Sequence, residues 1–266
     1  MKKFLAVSAL AGTMIFNTAA AAPSVERETI NQVALLQSLT LGYFDGSVTV
    51  KELKKLGNTG IGTFDGLNGE LIMLDGVVYR ANQDCEINVV DDKVTIPFAN
   101  VTFFEKDFSV KLADISDKTS LEARLDEIVE RRGKNRFYMI KLTGDFNEIL
   151  VRSEAGQQKP YPTLVEALKA TQQELPMKNV KGTIVGLYCP AQMQSLNTPG
   201  WHFHFVTSDK QFGGHVLGLN LRTGEAQFDE TDNFTMRLPA KENFNDLNLA
   251  QDLSEDIGKA ERDRRQ

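Results

Sequence analysis

The stretch Trp201-His202-Phe203-His204-Phe205 alternates aromatic and imidazole side chains residue by residue, and this constrains the fold more than any other part of the chain. A period of two belongs to a strand, so His202 and His204 project from one face and Trp201, Phe203 and Phe205 from the other. Thr207-Ser208-Asp209-Lys210 then suits a turn, and Phe212-Gly213-Gly214-His215-Val216-Leu217 resumes an apolar strand. The spacing predicts a hairpin that returns His215 across from the first pair. The chain has 266 residues and only these three histidines. Three neutral imidazoles on one face form a tridentate nitrogen-donor set that suits zinc and leaves a coordination position open, which implies chemistry. The competing reading is three core or partly exposed histidines that cluster without a metal.

The N-terminus reads Met1-Lys2-Lys3, an apolar run from Phe4 to Phe16, then Asn17-Thr18-Ala19-Ala20-Ala21-Ala22-Pro23. A charged start, an apolar core too short to span a bilayer and a small-residue cleavage site predict a signal peptide over residues 1–22. Export to the periplasm or beyond follows, with no membrane attachment after cleavage. Cys85 and Cys189 are the only cysteines. An oxidising compartment permits a disulfide between them, and two buried free thiols are the equal alternative. The net charge is −6 with Lys and Arg interspersed among Asp and Glu, so no basic field for nucleic acid exists and a small-molecule partner is expected.

Apolar positions Val33, Leu36 and Leu39 predict a helix within Ser24 to Leu41, and Thr49 to Leu56 reads as a short capped helix closed by Gly57. Asp75-Gly76 marks a hairpin between 70–74 and 77–79, and Asp91-Asp92-Lys93 a second one between Val89-Val90 and Val94-Thr95-Ile96. Thr119-Ser120-Leu121-Glu122 has a capping-box pattern before a helix that Gly133 ends. Strands over 137–142 and 148–152 are expected to pair around Thr143-Gly144-Asp145-Phe146, followed by a helix from Thr163 to about Glu174 that Pro176 ends. The remainder reads as strand, then a polar helix from about Asn245 to Arg262. Strands and helices mix without regular alternation, which predicts an α+β fold. Gln157-Gln158-Lys159-Pro160-Tyr161-Pro162 is the linker candidate. It divides an N-terminal mixed-sheet domain with helices, residues 23–158, from a smaller β-barrel-like domain, residues 159–266, carrying the metal site.

Several segments resemble one family together. They are Gly62-Thr63-Phe64, Gly66-Leu67, Gly69-Glu70-Leu71 with Asp75-Gly76 and Tyr79, then Lys159-Pro160-Tyr161-Pro162, Gly200-Trp201-His202-Phe203-His204-Phe205 and Gly213-Gly214-His215-Val216. In this order, across essentially the whole mature chain, they are similar to the α-acetolactate decarboxylases. The resemblance implies conversion of 2-acetolactate to acetoin and CO2, Zn2+ held by His202, His204 and His215, and a homodimer formed through the N-terminal sheets. It also implies that Thr63 and Glu70 belong to the site and that Arg152 joins them. A glutamate of the C-terminal tail joins too, with Glu261 the best match and Glu255 nearby.

Loss of CO2 from a β-keto acid leaves a carbanion that must be held as an enolate, which a metal at the ketone oxygen favours. By the same resemblance Arg152 clamps the substrate carboxylate, Glu70 and Glu261 handle protons, and Thr63 hydrogen-bonds substrate or positions Glu70. Gly60, Gly62, Gly66 and Gly69 do not form a phosphate loop, because its lysine and hydroxyl residue are missing. A zinc hydrolase and a non-enzymatic exported zinc-binding module remain alternative readings of the same three histidines.

Overall fold

The computed structural model describes residues 27–261, the last only as the end of a helix. The signal-peptide segment and the Glu261 side chain lie outside the described residues. In chain order the elements are β1 (Thr29–Val33), α1 (Leu36–Thr40), β2 (Val48–Thr49), α2 (Val50–Leu53), β3 (Thr59–Thr63), β4 (Glu70–Leu74), β5 (Val77–Ala81), β6 (Ile87–Val89), β7 (Thr95–Ile96), β8 (Phe98–Thr102) and β9 (Phe108–Ile115). They continue with α3 (Lys118–Arg132), β10 (Phe137–Ser153), α4 (Leu164–Thr171), β11 (Gln173–Cys189), β12 (Gly200–Thr207), β13 (Gly213–Thr231), β14 (Asn233–Arg237) and α5 (Ser254–Glu261). The fold is mixed α and β, mostly sheet with few helices. Among the described residues no helix is long and apolar enough to cross a membrane.

One sheet has seven strands in the order β14-β1-β8-β3-β4-β5-β6. The other has the order β10-β11-β12-β13-β9, with a further β10–β13 pairing that closes β10 to β13 into a ring. Strands β10 and β11 lie on either side of the Gln157–Pro162 segment and pair with each other from Tyr138↔Tyr188 to Ser153↔Gln173. That segment therefore connects two neighbours within one sheet.

Local chemistry explains most boundaries. Thr49 and Thr163 each close a capping box, with Glu52 and Glu166 as the returning carboxylates. Asp75 and Gly76 both take positive φ and carry the tight β4–β5 turn. The histidine hairpin forms as predicted, pairing His204 with His215.

Six expectations are corrected. Thr29–Val33 is a strand rather than helix, because this buried segment pairs with both β14 and β8, and helix is confined to Leu36–Thr40. The Thr143–Phe146 turn does not exist: β10 runs straight through it, and Gly144 pairs with Gly182 on one side and Gly224 on the other. Segments 87–89 and 95–96 do not form a hairpin, since β6 pairs with β5 and β7 with β2. Helix α3 is capped by Asp117, whose Oδ1 accepts from the Ser120 N–H at 2.7 Å, rather than by Thr119. The helix expected to reach Glu174 stops at Thr171, and Pro176 sits inside β11 opposite Leu150. The C-terminal helix covers only Ser254–Glu261.

Two apolar layers fix the second sheet. On one side Leu121, Leu125 and Val129 of α3 join Trp201, Phe203, Phe205 and Phe146 in an aromatic core. On the other, Met139, Val185, Leu187 and Val206 meet Ile61 and Ile72 of the seven-stranded sheet. Burial of a phenylalanine such as Phe203 stabilises by about 1.5–3 kcal/mol. The cysteines are free thiols, Cys85 in the aromatic core and Cys189 between the sheets. Burial pushes the Cys85 thiol up to about 12, so it stays protonated.

Candidate metal centre and active site

Strand register assembles the site. His204 lies opposite His215, and His215 lies opposite Arg152, so three strands contribute one lateral row. His202 stands two residues before His204 and shares its face. From the other sheet, Thr63 and Glu70 are themselves a cross-strand pair on β3 and β4. The chain separation between these rows is large, but each side chain is set by ordinary ladder geometry. Glycine permits two close approaches. A Cβ on Gly69, at φ 86°, would meet the Ala81 carbonyl oxygen at 2.2 Å, and one on Gly214 the Arg152 carbonyl oxygen at 2.3 Å.

The imidazoles converge. His202 Nε2 lies 3.1 Å from His204 Nε2 and 3.0 Å from His215 Nδ1. Three nitrogens about 2.0–2.1 Å from a tetrahedral zinc stand roughly 3.3 Å apart, close to these two separations, and with all three donor atoms within 4.8 Å of one another the group could hold such an ion. His204 Nδ1 is 2.8 Å from the Leu71 carbonyl oxygen, which can only accept. The proton of a neutral His204 therefore sits on Nδ1, and the lone pair of Nε2 faces the cluster. His204 and His215 are buried, and burial, with the Arg152 charge nearby, holds all three imidazoles neutral; His202 is pushed down to about 3. Neutral imidazole is the metal-binding form.

Beside them lies a buried charged cluster. Glu70 accepts from Arg152 Nη1 at 2.9 Å through Oε1, while its Oε2 stands 3.4 Å from His204 Nε2. The same Nη1 donates to Glu154 Oε2 at 3.2 Å, and Nη2 donates to the Ala260 carbonyl oxygen of α5 at 3.0 Å. Thr63 Oγ1 donates to the Gly69 carbonyl oxygen at 2.8 Å, which ties down the turn leading into Glu70. The opposite wall is apolar, made by Leu36 and Leu39 of α1, Phe98, and Leu164 and Leu168 of α4. Leu253, Ile257 and Ala260 of α5 pack onto this wall. Charged and imidazole groups thus face hydrocarbon across a small cavity with buried walls, where electrostatic interactions are less screened than in water.

The structure brings His202, His204, His215, Thr63, Glu70 and Arg152 to one cavity. Glu255 is not there: its side chain is exposed and pairs with Lys259 at 2.6 Å. The Ala260 contact puts the end of α5 at the site, next to the position of Glu261. Two participants were missed from sequence. The Leu71 carbonyl has no side-chain signature. Glu154 has one, because it stands two residues beyond Arg152, directly after β10, where the strand's period of two carried one residue further gives the same face.

The chain matches the profile of the alpha-acetolactate decarboxylase family over residues 30–251. The alpha-acetolactate decarboxylase of Methanosarcina mazei is 40% identical over 235 residues, 88% of this chain and 81% of that one. The Bacillus subtilis enzyme is 35% identical over 86% of this chain and 89% of its own. The crystal structure of alpha-acetolactate decarboxylase from B. subtilis strain 168 covers 88% of this chain and 100% of that one with a TM-score of 0.85 at 34% identity. Fold and relatives together define an enzyme of the carboxy-lyase class. The chain belongs to the alpha-acetolactate decarboxylase family.

Proposed function

We propose that this protein decarboxylates 2-acetolactate to acetoin and CO2 with Zn2+ as its metal. The observation that carries the reading is the convergence of three neutral imidazoles beside the buried Glu70–Arg152 pair. His202, His204 and His215 would hold the zinc ion, which would supply Lewis-acid chemistry at the ketone oxygen. Arg152 holds the substrate carboxylate and sets the angle of the breaking bond against the ketone plane. Glu70, bonded to Arg152 on one oxygen, keeps the other near His204 and is placed to hold the C2 hydroxyl and to move a proton to and from that end of the substrate. Thr63 fixes the backbone that presents Glu70. Leu36, Leu39, Leu164 and Leu168 accept the two methyl groups and exclude water, which favours charge loss from a carboxylate. Glu261, beyond the Ala260 contact, is assigned a second proton-handling role.

The test is acetolactate turnover by purified zinc-loaded protein. Acetoin and CO2 are expected, lost on chelation and restored by zinc; a fully metallated but inert protein overturns the reading. In the same reading the β10–β13 ring is a barrel-like unit carrying the metal, and the protein is a homodimer through the seven-stranded sheets, checked by light scattering in solution. Export to the periplasm or medium removes residues 1–22, checked by intact mass of the mature chain.

A further inference from the structure

The Arg152 guanidinium has two differently occupied edges. Nη1 is shared between Glu70 and Glu154, whereas Nη2 donates to a backbone carbonyl and Nε, although buried, has no hydrogen-bond partner among the described residues. A carboxylate binds guanidinium best through two parallel N–H bonds, and Nε with Nη2 forms such a fork. Glu154 is 1% exposed and directly follows the last residue of β10, and it reaches Arg152 Nη1 at 3.2 Å, so its carboxylate cannot swing away into water. We propose that Glu154 is a positioning residue: by anchoring Nη1 together with Glu70, it turns the Nε–Nη2 edge toward the substrate carboxylate, which takes the place of the Ala260 carbonyl. The inference rests on the carboxylate-capture role given to Arg152 above.

Reach, rather than charge alone, is what positioning requires. Glu154→Gln keeps an oxygen at the same distance with charge removed; Glu154→Asp keeps the charge and withdraws it by one methylene. The probe is 2-hydroxyisobutyrate, a small 2-hydroxy acid without a ketone for the decarboxylation, titrated calorimetrically into zinc-loaded wild type, both variants and Arg152→Ala. The dissociation constant is expected to rise about threefold in Glu154→Gln and about thirtyfold in Glu154→Asp, as loss of a charge-assisted bond compared with loss of the anchor. KM for acetolactate should follow the same order, with kcat changing less. Equal affinity of both variants and wild type overturns the proposal, as does a larger loss in Gln than in Asp. No binding to wild type, or undiminished binding to Arg152→Ala, also overturns it. If the expected order holds while wild type forms no acetoin, the assigned reaction fails and the positioning role stands.

Discussion

The two faces of β12 differ in what completes them. On one, Trp201, Phe203 and Phe205 enter a layer where Trp201 stacks on Phe203 at 5.6 Å and Phe146 meets Phe205 edge-on at 5.3 Å. Any hydrocarbon of suitable shape satisfies such a face, since burial is not directional. On the other, His202 and His204 need partners of fixed type and geometry: a carbonyl from β4, an imidazole from β13, a carboxylate from β4. One strand therefore separates stability from chemistry by residue parity.

The sharpest way to break that comparison is to truncate each face. His204→Ala is expected to lose zinc and at least about a thousandfold in turnover, because several kcal/mol of charge stabilisation go with the metal. Metal content measured beside activity checks it, and a variant that retains both sinks the assignment. Phe203→Ala should do the opposite, costing about 3–5 kcal/mol of stability while the folded fraction keeps zinc and turnover. Denaturant unfolding with metal analysis decides; loss of metal at full folding would show that the faces are not separable. Gly214→Ala probes the backbone that joins them. At φ 151° and 2.3 Å from the Arg152 carbonyl oxygen, a methyl should cost about 1–3 kcal/mol and lower turnover together, by displacing Arg152 and His215 at once. Unchanged thermal stability and rate would mean that the strand shifts freely.

The same parity explains what was legible in the sequence. The hairpin and the shared face of His202, His204 and His215 follow from period two and one turn, both local. Glu70, Arg152 and Thr63 came only through resemblance, since a single buried charge carries no sequence mark of its partner. Glu154 lies within reach of the strand period, but nothing local distinguishes it from a surface glutamate. Thr143-Gly144-Asp145 has turn composition and so predicts a hairpin where β10 runs straight. Gly144 is there because Leu221, Gly224 and the Thr223 carbonyl crowd it from the adjoining strand, a contact made by residues some eighty positions away. Likewise β1 carried helical spacing, and its strand neighbours β14 and β8 are nonlocal.

A second buried carboxylate marks the limit of the comparison. Asp229 on β13 turns away from the aromatic core that its neighbour Phe228 enters, and it lies opposite Met139. Unlike Glu70 it has no arginine in contact among the described residues; its hydrogen bond comes from the Glu105 N–H at 3.3 Å. Burial pushes its carboxyl up to about 7, and the charges of Glu28, Asp107 and Glu105 add to this. The folded-state value lies above the unfolded one near 3.9, so between about pH 4 and 7 the folded chain binds more protons than the unfolded chain. The contribution of Asp229 is therefore most favourable at acidic pH and is lost as pH rises through about 7. Asp229→Asn stays neutral throughout and can still accept from the Glu105 N–H. It should stabilise by about 1–2 kcal/mol at pH 8, with the gain vanishing toward pH 4. Melting temperatures of both proteins across that range test it. Curves that run parallel would mean that burial without a cation costs this fold nothing, and that the Arg152 pairing of Glu70 serves the reaction alone.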